Sequence, residues 1–456
     1  MKIHPHDDVL EEFLLSQESG HLAVLRHLQW CAQCRARLAY LPRERAAETA
    51  PTRDGAITAY ERAIEESQRT AGEWEAALER ERDEAPGLFV ELLGQPLDQR
   101  EALFGSPVSR FHTWGVFELL VERSLEITSQ DPARGENLGL LALRLADHLD
   151  AERYGAERIA DLQARAWAYI GNACRMRFDF PAAEEAFLNA RARLKEGTGD
   201  SLEMAILLDL RASLRRAQRR FDESLRMLGR AVKIFLGAGE RHRAGRSLVN
   251  MSTVHYHASD PALGIPLLQQ ALELIDPERE PRLLLCARHN LVFHHAELGH
   301  FQEAQKLYRE ARPLYRSFNE PWVQNRRSWV RGKIAHGLGQ LKLAETRFLA
   351  ARDGFLQEGV PYDTALVSLE LALLYAEQGR TAELKRLAAE MVPIFSSRQI
   401  HREALAALTF LRQAVEAEEA SLEVLGRVAD FLRKAEHDPE LRFEERRSSD
   451  ASPGDR

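Results

Sequence analysis

The residues best suited to chemistry stand near the N-terminus, where His27-Leu28-Gln29-Trp30-Cys31-Ala32-Gln33-Cys34 sets a histidine and two cysteines at His-x3-Cys-x2-Cys spacing. On a helix, Cys31 falls about 40° to one side of His27 and Cys34 about 20° to the other, so all three side chains share one face. Two thiolates and an imidazole suit Zn2+, which needs a fourth ligand to complete a tetrahedron. His4, His6 and His21 are the available candidates. A segment of about 40 residues also has too small a core to fold unaided, so a metal would add real stability. The competing reading makes Cys31 and Cys34 ordinary buried cysteines.

Elsewhere the sequence offers little for catalysis. It has no glycine-rich phosphate loop, no Gly-x-Ser-x-Gly and no His-Glu-x-x-His, so an enzyme is not expected. The histidines of His255-Tyr256-His257 and His294-His295 diverge on a helix and read as groove or core residues. Cys174 reads as a small buried hydrophobe, and Cys286 has no assignable chemistry. With a net charge of −8, 45% hydrophobic and 29% charged residues, the chain is expected to fold as a globular protein without a nucleic-acid footprint. The arginines 211, 215, 216, 219 and 220 then read as a solvated or interhelix salt-bridging face. No apolar run approaches the roughly 18 residues of a membrane span. Four unevenly placed cysteines and a polar start favour a cytoplasmic protein.

The elements that must carry these residues are helices. Apolar residues recur at helical spacing, as in Leu366, Leu369, Leu373 and Leu374, and no strand-like alternation persists. The fold class is all-α. A longer period overlies the helical one: Ala183-Phe187-Ala190, Ser224-Leu228-Ala231, Gly264-Leu268-Ala271, Ala304-Tyr308-Ala311 and Ala344-Phe348-Ala351, then a degenerate Leu384-Ala388-Met391. Their first members lie 41, 40, 40, 40 and 40 residues apart. Twelve positions before each stands a further, mostly small, residue: Gly171, Ala212, Ser252, Val292, Gly332 and Ala372. Small side chains let two helix axes approach to about 8–10 Å, and Phe187, Tyr308 and Phe348 fill the space between pairs. Gly299, Gly339 and Gly379 share one turn position, where a helix end can demand positive φ.

This array resembles the tetratricopeptide repeat, in a form with longer helices than usual. The resemblance implies a right-handed α-solenoid whose first helices line a groove for a protein or peptide partner. The groove residues it implies are Arg246, Asn250, Thr253, His257, His289, Asn290, Arg326 and Lys333, with Tyr256, Trp329 and His336 beside them. Asparagine amides there could pair with an extended peptide backbone, and the cations with its carboxylates. The N-terminal segment resembles the short zinc-binding anti-sigma domain of bacteria through His4-Pro5, His27-Leu28, Cys31, Cys34 and Arg35. That resemblance implies a small helical zinc module holding Zn2+ by His4, His27, Cys31 and Cys34, with His6 as the alternative to His4, and a sigma factor as partner in transcription regulation. The rival expectation is a general scaffold whose zinc module is only structural.

The expected organisation is a zinc module at 1–40, a linker at 41–56, a helical adaptor or divergent repeats at 57–130, the solenoid at 131–400, capping helices at 401–436 and a disordered tail at 437–456. Asp131-Pro132-Ala133-Arg134-Gly135 before Ala142 mirrors Asp260-Pro261-Ala262-Leu263-Gly264 before Ala271, which sets the early start of the solenoid.

Overall fold

The computed structural model describes residues 53–96, 109–396, 422–435 and 441–443, the helix 32–40, and residues 9, 10, 13, 24, 28, 100, 103, 408, 409, 411 and 415. Among these every regular element is a helix. In chain order they are α1 (Ala32–Tyr40), α2 (Arg53–Gly94), α3 (Trp114–Thr128), α4 (Pro132–Ala146), α5 (Ala151–Tyr154), α6 (Ala156–Met176), α7 (Phe180–Glu196), α8 (Ser201–Ala217) and α9 (Phe221–Gly237). Then follow α10 (Arg241–His257), α11 (Pro261–Leu274), α12 (Pro281–Glu297), α13 (Phe301–Ser317), α14 (Pro321–Gly337), α15 (Leu341–Glu358), α16 (Pro361–Glu377), α17 (Thr381–Ser396) and α18 (Leu422–Ala435). Two compact units divide the chain, at 1–211 and 212–456. The α2 helix begins at Arg53, inside the segment expected to be linker.

In the second unit the small-bulky-small triplets do what their spacing requires. Ser224, Leu228 and Ala231 on α9 are buried, as are Ala344, Phe348 and Ala351 on α15. Positions i, i+4 and i+7 form one stripe, and that stripe packs on the preceding helix. Closeness of approach explains the small residues. A Cβ on Gly332 of α14 would meet the Phe348 ring at 2.5 Å, and one on Gly264 of α11 would meet Ser252 Oγ of α10 at 2.8 Å. Where serine replaces alanine it serves the same seam, for the Ser224 hydroxyl donates to Ala212 O at 2.8 Å. Val292, the bulky member of the series, is itself wholly buried.

Each pair turns through a left-handed residue. Gly299, Gly339 and Gly379 have φ of 76°, 71° and 67°, as their shared position predicts. The equivalent residues of the earlier pairs are Phe178, Arg219 and Ser259, at 61°, 57° and 64°. One residue later, the backbone N–H reaches back five positions: Asp260 to His255 O at 2.9 Å, His300 to His295 O at 2.9 Å and Gln340 to Ala335 O at 2.8 Å. This 6→1 bond closes the helix end and requires the left-handed residue before it. The closure is thus kept even where a side chain makes it strained.

The first unit has its own core. Trp114, Phe117, Leu120 and Val121 of α3 pack with Leu138, Ala142 and Leu145 of α4 and with Leu78, Ala85 and Leu92 of α2. Thr113 caps α3 by accepting from Val116 N, and Asp131 caps α4 by accepting from Arg134 N at 3.0 Å. Buried Glu81 ties three elements together, accepting from Trp114 N at 2.8 Å and from the Tyr154 hydroxyl at 2.9 Å. Cys174 is buried on α6, and burial pushes its thiol up to about 11, as suits an inert packing residue.

Candidate ligand-binding face of the repeats

The first helices of the second unit, α10, α12, α14 and α16, bring their polar residues into lateral register. Several basic residues meet an acid roughly one repeat away. Arg246 of α10 pairs with Glu280, which also lies 3.2 Å from His242. Arg282 of α12 pairs with Glu320 at 2.7 Å. Arg326 of α14 meets Asp363 of α16 at 3.0 Å, and His336 meets Glu377 at 2.6 Å. A forty-residue repeat makes this pattern possible, because positions one period apart sit side by side on neighbouring helices.

Lys333 is the centre of the ladder. Its ammonium lies 2.5 Å from Glu370 Oε1 and 3.0 Å from Glu297 Oε1, with only 11% of the side chain exposed. Burial opposes its charge, but the two carboxylates outweigh burial and hold the ammonium above its ordinary range. Burial likewise works against the Glu297 charge, and Lys333 with Arg433 overcomes it. Beside this polar group stand Phe293 and Trp329, packed edge-to-face with ring centroids 5.4 Å apart. The Arg326 guanidinium lies over Trp322 and Trp329, at 5.1 and 5.4 Å from their centroids.

The remaining expected groove residues are placed as follows. Asn250 and Asn290 are half-buried at matching positions of α10 and α12. Thr253 donates to Val249 O of its own helix at 3.0 Å. His257 lies 3.1 Å from Arg216. His289 is hydrogen-bonded to the Tyr315 hydroxyl at 2.6 Å, and burial drives its ring down to about 3, so it is neutral. Tyr256 stacks on His294 at 5.7 Å. The arginine cluster is partnered within the protein: Arg215 faces Glu223 at 3.3 Å and Arg220 faces it at 2.5 Å.

The acids Glu280, Glu297, Asp363 and Glu370 were not among the expected groove residues. Glu297 precedes its base, but a signal exists for Glu280, Asp363 and Glu370, an acid 34 to 38 positions after a base. It becomes meaningful only once the stacking register of the repeats is known.

Of the expected zinc ligands, His4, His6, His27 and Cys31 lie outside the described residues. Cys34 is on α1, its side chain wholly buried together with Leu28 and Leu38. Among the described residues no group of three histidine, cysteine or acidic side chains is placed to hold a metal ion. Among them, too, no helix is long and apolar enough to cross a membrane.

A family model described as tetratricopeptide repeat matches residues 243–317, which span α10 to α13. These residues are tetratricopeptide repeats. The paired helices on either side share their seam and their turn, so the tetratricopeptide-like fold extends beyond the matched stretch. No curated protein is significantly similar to the chain in sequence. A solved structure of a Rap protein complexed with competence and sporulation factor is 13% identical, with a TM-score of 0.54, covering 71% of this chain and 87% of that one. Aspartyl phosphate phosphatase F from Bacillus subtilis is also 13% identical, with a TM-score of 0.49, covering 88% of this chain and 96% of that one. At such identity the likeness to the Rap protein is one of fold alone.

Proposed function

We propose that the chain is a non-enzymatic regulatory protein whose tetratricopeptide repeats bind a protein or peptide partner on the face formed by α10, α12, α14 and α16. The observation that carries this is the composition of that face: Asn250 and Asn290 at matching positions, beside charges held in fixed register around Lys333 and Arg326. Fixed charges and amides give a partner directional contacts without the entropy loss of ordering them. The Rap protein of similar fold was solved with a bound factor, which agrees with this use of the architecture. The test is recovery of partners from native cells by the full chain and by an Asn250→Ala/Asn290→Ala variant. Loss of a partner in the variant is expected; an unchanged partner set sinks the reading.

The finer part of the proposal concerns residues 1–40. We propose that His27, Cys31 and Cys34, with His4 or His6, bind Zn2+ and that this module sequesters a sigma factor. The buried Cys34 thiol, on a helix following the two preceding ligands, supports the metal reading. Purified chain should carry about one zinc, lost on replacing His27 and Cys31 together, as a closed four-ligand site requires. Recovery of a sigma factor by the native chain but not by that variant would support regulation. Partners that survive the change would mark the zinc module as structural in a general scaffold.

A further inference from the structure

The first-helix face of the second unit already carries a segment of its own chain. On α18, Val424, Val428, Leu432 and Ala435 recur at i, i+4, i+8 and i+11, and all are buried. They belong to the same apolar cluster as Phe293, Trp329 and Leu369 of the first helices. Polar contacts then fix the last turn of α18. The Tyr362 hydroxyl of α16 donates to Ala435 O at 3.3 Å, and Arg219 Nη1 donates to Lys434 O at 3.4 Å. Arg433 lies 4.0 Å from Glu297 of α12, the same acid that holds Lys333. A helix end exposes carbonyls with no partner within the helix, and here two of them are received by side chains far apart in the sequence.

α18 packs mainly on α16, the first helix of the final pair, as a closing helix would. Its end reaches further, to Arg219, 215 residues away, and to Glu297 of α12. Its contacts repeat those of a ligand: an apolar stripe within the cluster that holds Phe293 and Trp329, and a cation beside Glu297. We propose that α18 is an intramolecular ligand, and that the first-helix face is a site for an amphipathic helix with a basic residue in its last turn. A partner helix of that chemistry binds by displacing α18, so tethering sets the threshold for binding. This rests on the reading that the face receives a protein ligand, but it names a helix as the occupant in place of an extended peptide. Recognition of a helix by its i, i+4 apolar stripe is a physically distinct mode from backbone pairing with asparagines.

The test uses the full chain and a fluorescein-labelled synthetic peptide of residues 420–437. In the wild type a tethered α18 competes at an effective concentration in the millimolar range, so the peptide should bind weakly. A full-length Leu425→Asp/Leu432→Asp variant, which unseats α18 and leaves the repeats intact, should bind it at least about tenfold more tightly because that competition is gone. The same peptide with Arg433→Glu should bind this variant more weakly. Excess peptide added to the wild type should accelerate hydrogen exchange across 422–435 while 241–377 stay protected, a readout that survives if the variant fails to fold. Equal peptide binding by wild type and variant overturns the proposal, as does unchanged exchange at 422–435 under saturating peptide. The two readings fail separately. Partner recovery indifferent to Asn250 and Asn290 ends the asparagine reading, whereas displacement of α18 by peptide does not depend on those residues.

Discussion

Two half-buried cations, one in each compact unit, meet the cost of leaving water by opposite means. Lys333 sits between the carboxylates of Glu297 and Glu370. Arg158 lies between two indoles, its guanidinium 4.5 Å from the ring centroids of both Trp74 and Trp114. It makes no ion pair among the described residues, and burial pulls it down to about 10 despite Asp161 and Glu118 nearby. Carboxylates return a strong attraction but must themselves be dehydrated, so all three groups become mutually dependent. Indoles return less, yet need no partner to be desolvated on their behalf. The charge-paired site is therefore brittle to single changes, and the aromatic one is tolerant.

The largest test of that contrast is Lys333→Met. It leaves Glu370 without its cation and Glu297 with only the more distant Arg433, and urea unfolding should show a loss of about 3–5 kcal/mol. Replacing Glu297 and Glu370 by leucine in the same chain should restore most of that loss, since a buried ion cluster is often matched by packed apolar residues. A single change that proves harmless would break the comparison.

Acid should separate the units next, with opposite signs. His294 is neutral in the fold, donating Nδ1–H to Pro261 O at 3.2 Å, and burial lowers it to about 4. Its unfolded form protonates first as pH falls below about 6.5, so the contribution of His294 is lost between there and pH 4, by up to about 3 kcal/mol. Asp161 goes the other way. Burial raises it to about 6 against the Thr198 hydrogen bonds that lower it. Its folded form therefore binds the proton first, and the first unit gains stability as pH falls from 6 towards 3.8. Unfolding followed from pH 7 to 4.5 should lose part of its acid sensitivity in the second unit with His294→Gln, the rest staying with the buried His289 ring. Asp161→Asn should remove the opposing slope in the first.

The smallest effect is expected at Arg158. Arg158→Met keeps the apolar contact with both indoles and removes only the charge, so the loss should be about 1 kcal/mol in urea unfolding. A loss as large as that of Lys333→Met would mean that charge pairing, not the indole faces, holds the guanidinium.

The seams between paired helices were legible because small residues at Gly332, Ser252 and Gly264 report the backbone approach directly. The turns were half legible. Glycine announces positive φ at Gly299, Gly339 and Gly379, but nothing in Phe178, Arg219 or Ser259 does so, since the stacked pair imposes their conformation. At the candidate site, bases such as Lys333 and Arg326 stood out by helical position alone. Their acids Glu297, Glu370 and Asp363 did not, because the pairing runs between repeats. The residues of α18 read as part of the capping helices at 401–436. Burial of Val424, Leu425 and Leu432 against distant first helices depends on long-range contacts that periodicity does not encode.

The contact between Arg219 and the carbonyl of Lys434 has one further consequence. Stacked repeats ordinarily touch only their neighbours and can unzip from either end, one pair at a time. Here the last described helix of the second unit is fastened near that unit's beginning, which turns an open row into a closed loop. Such a loop carries high contact order, so it should form slowly and come apart all at once.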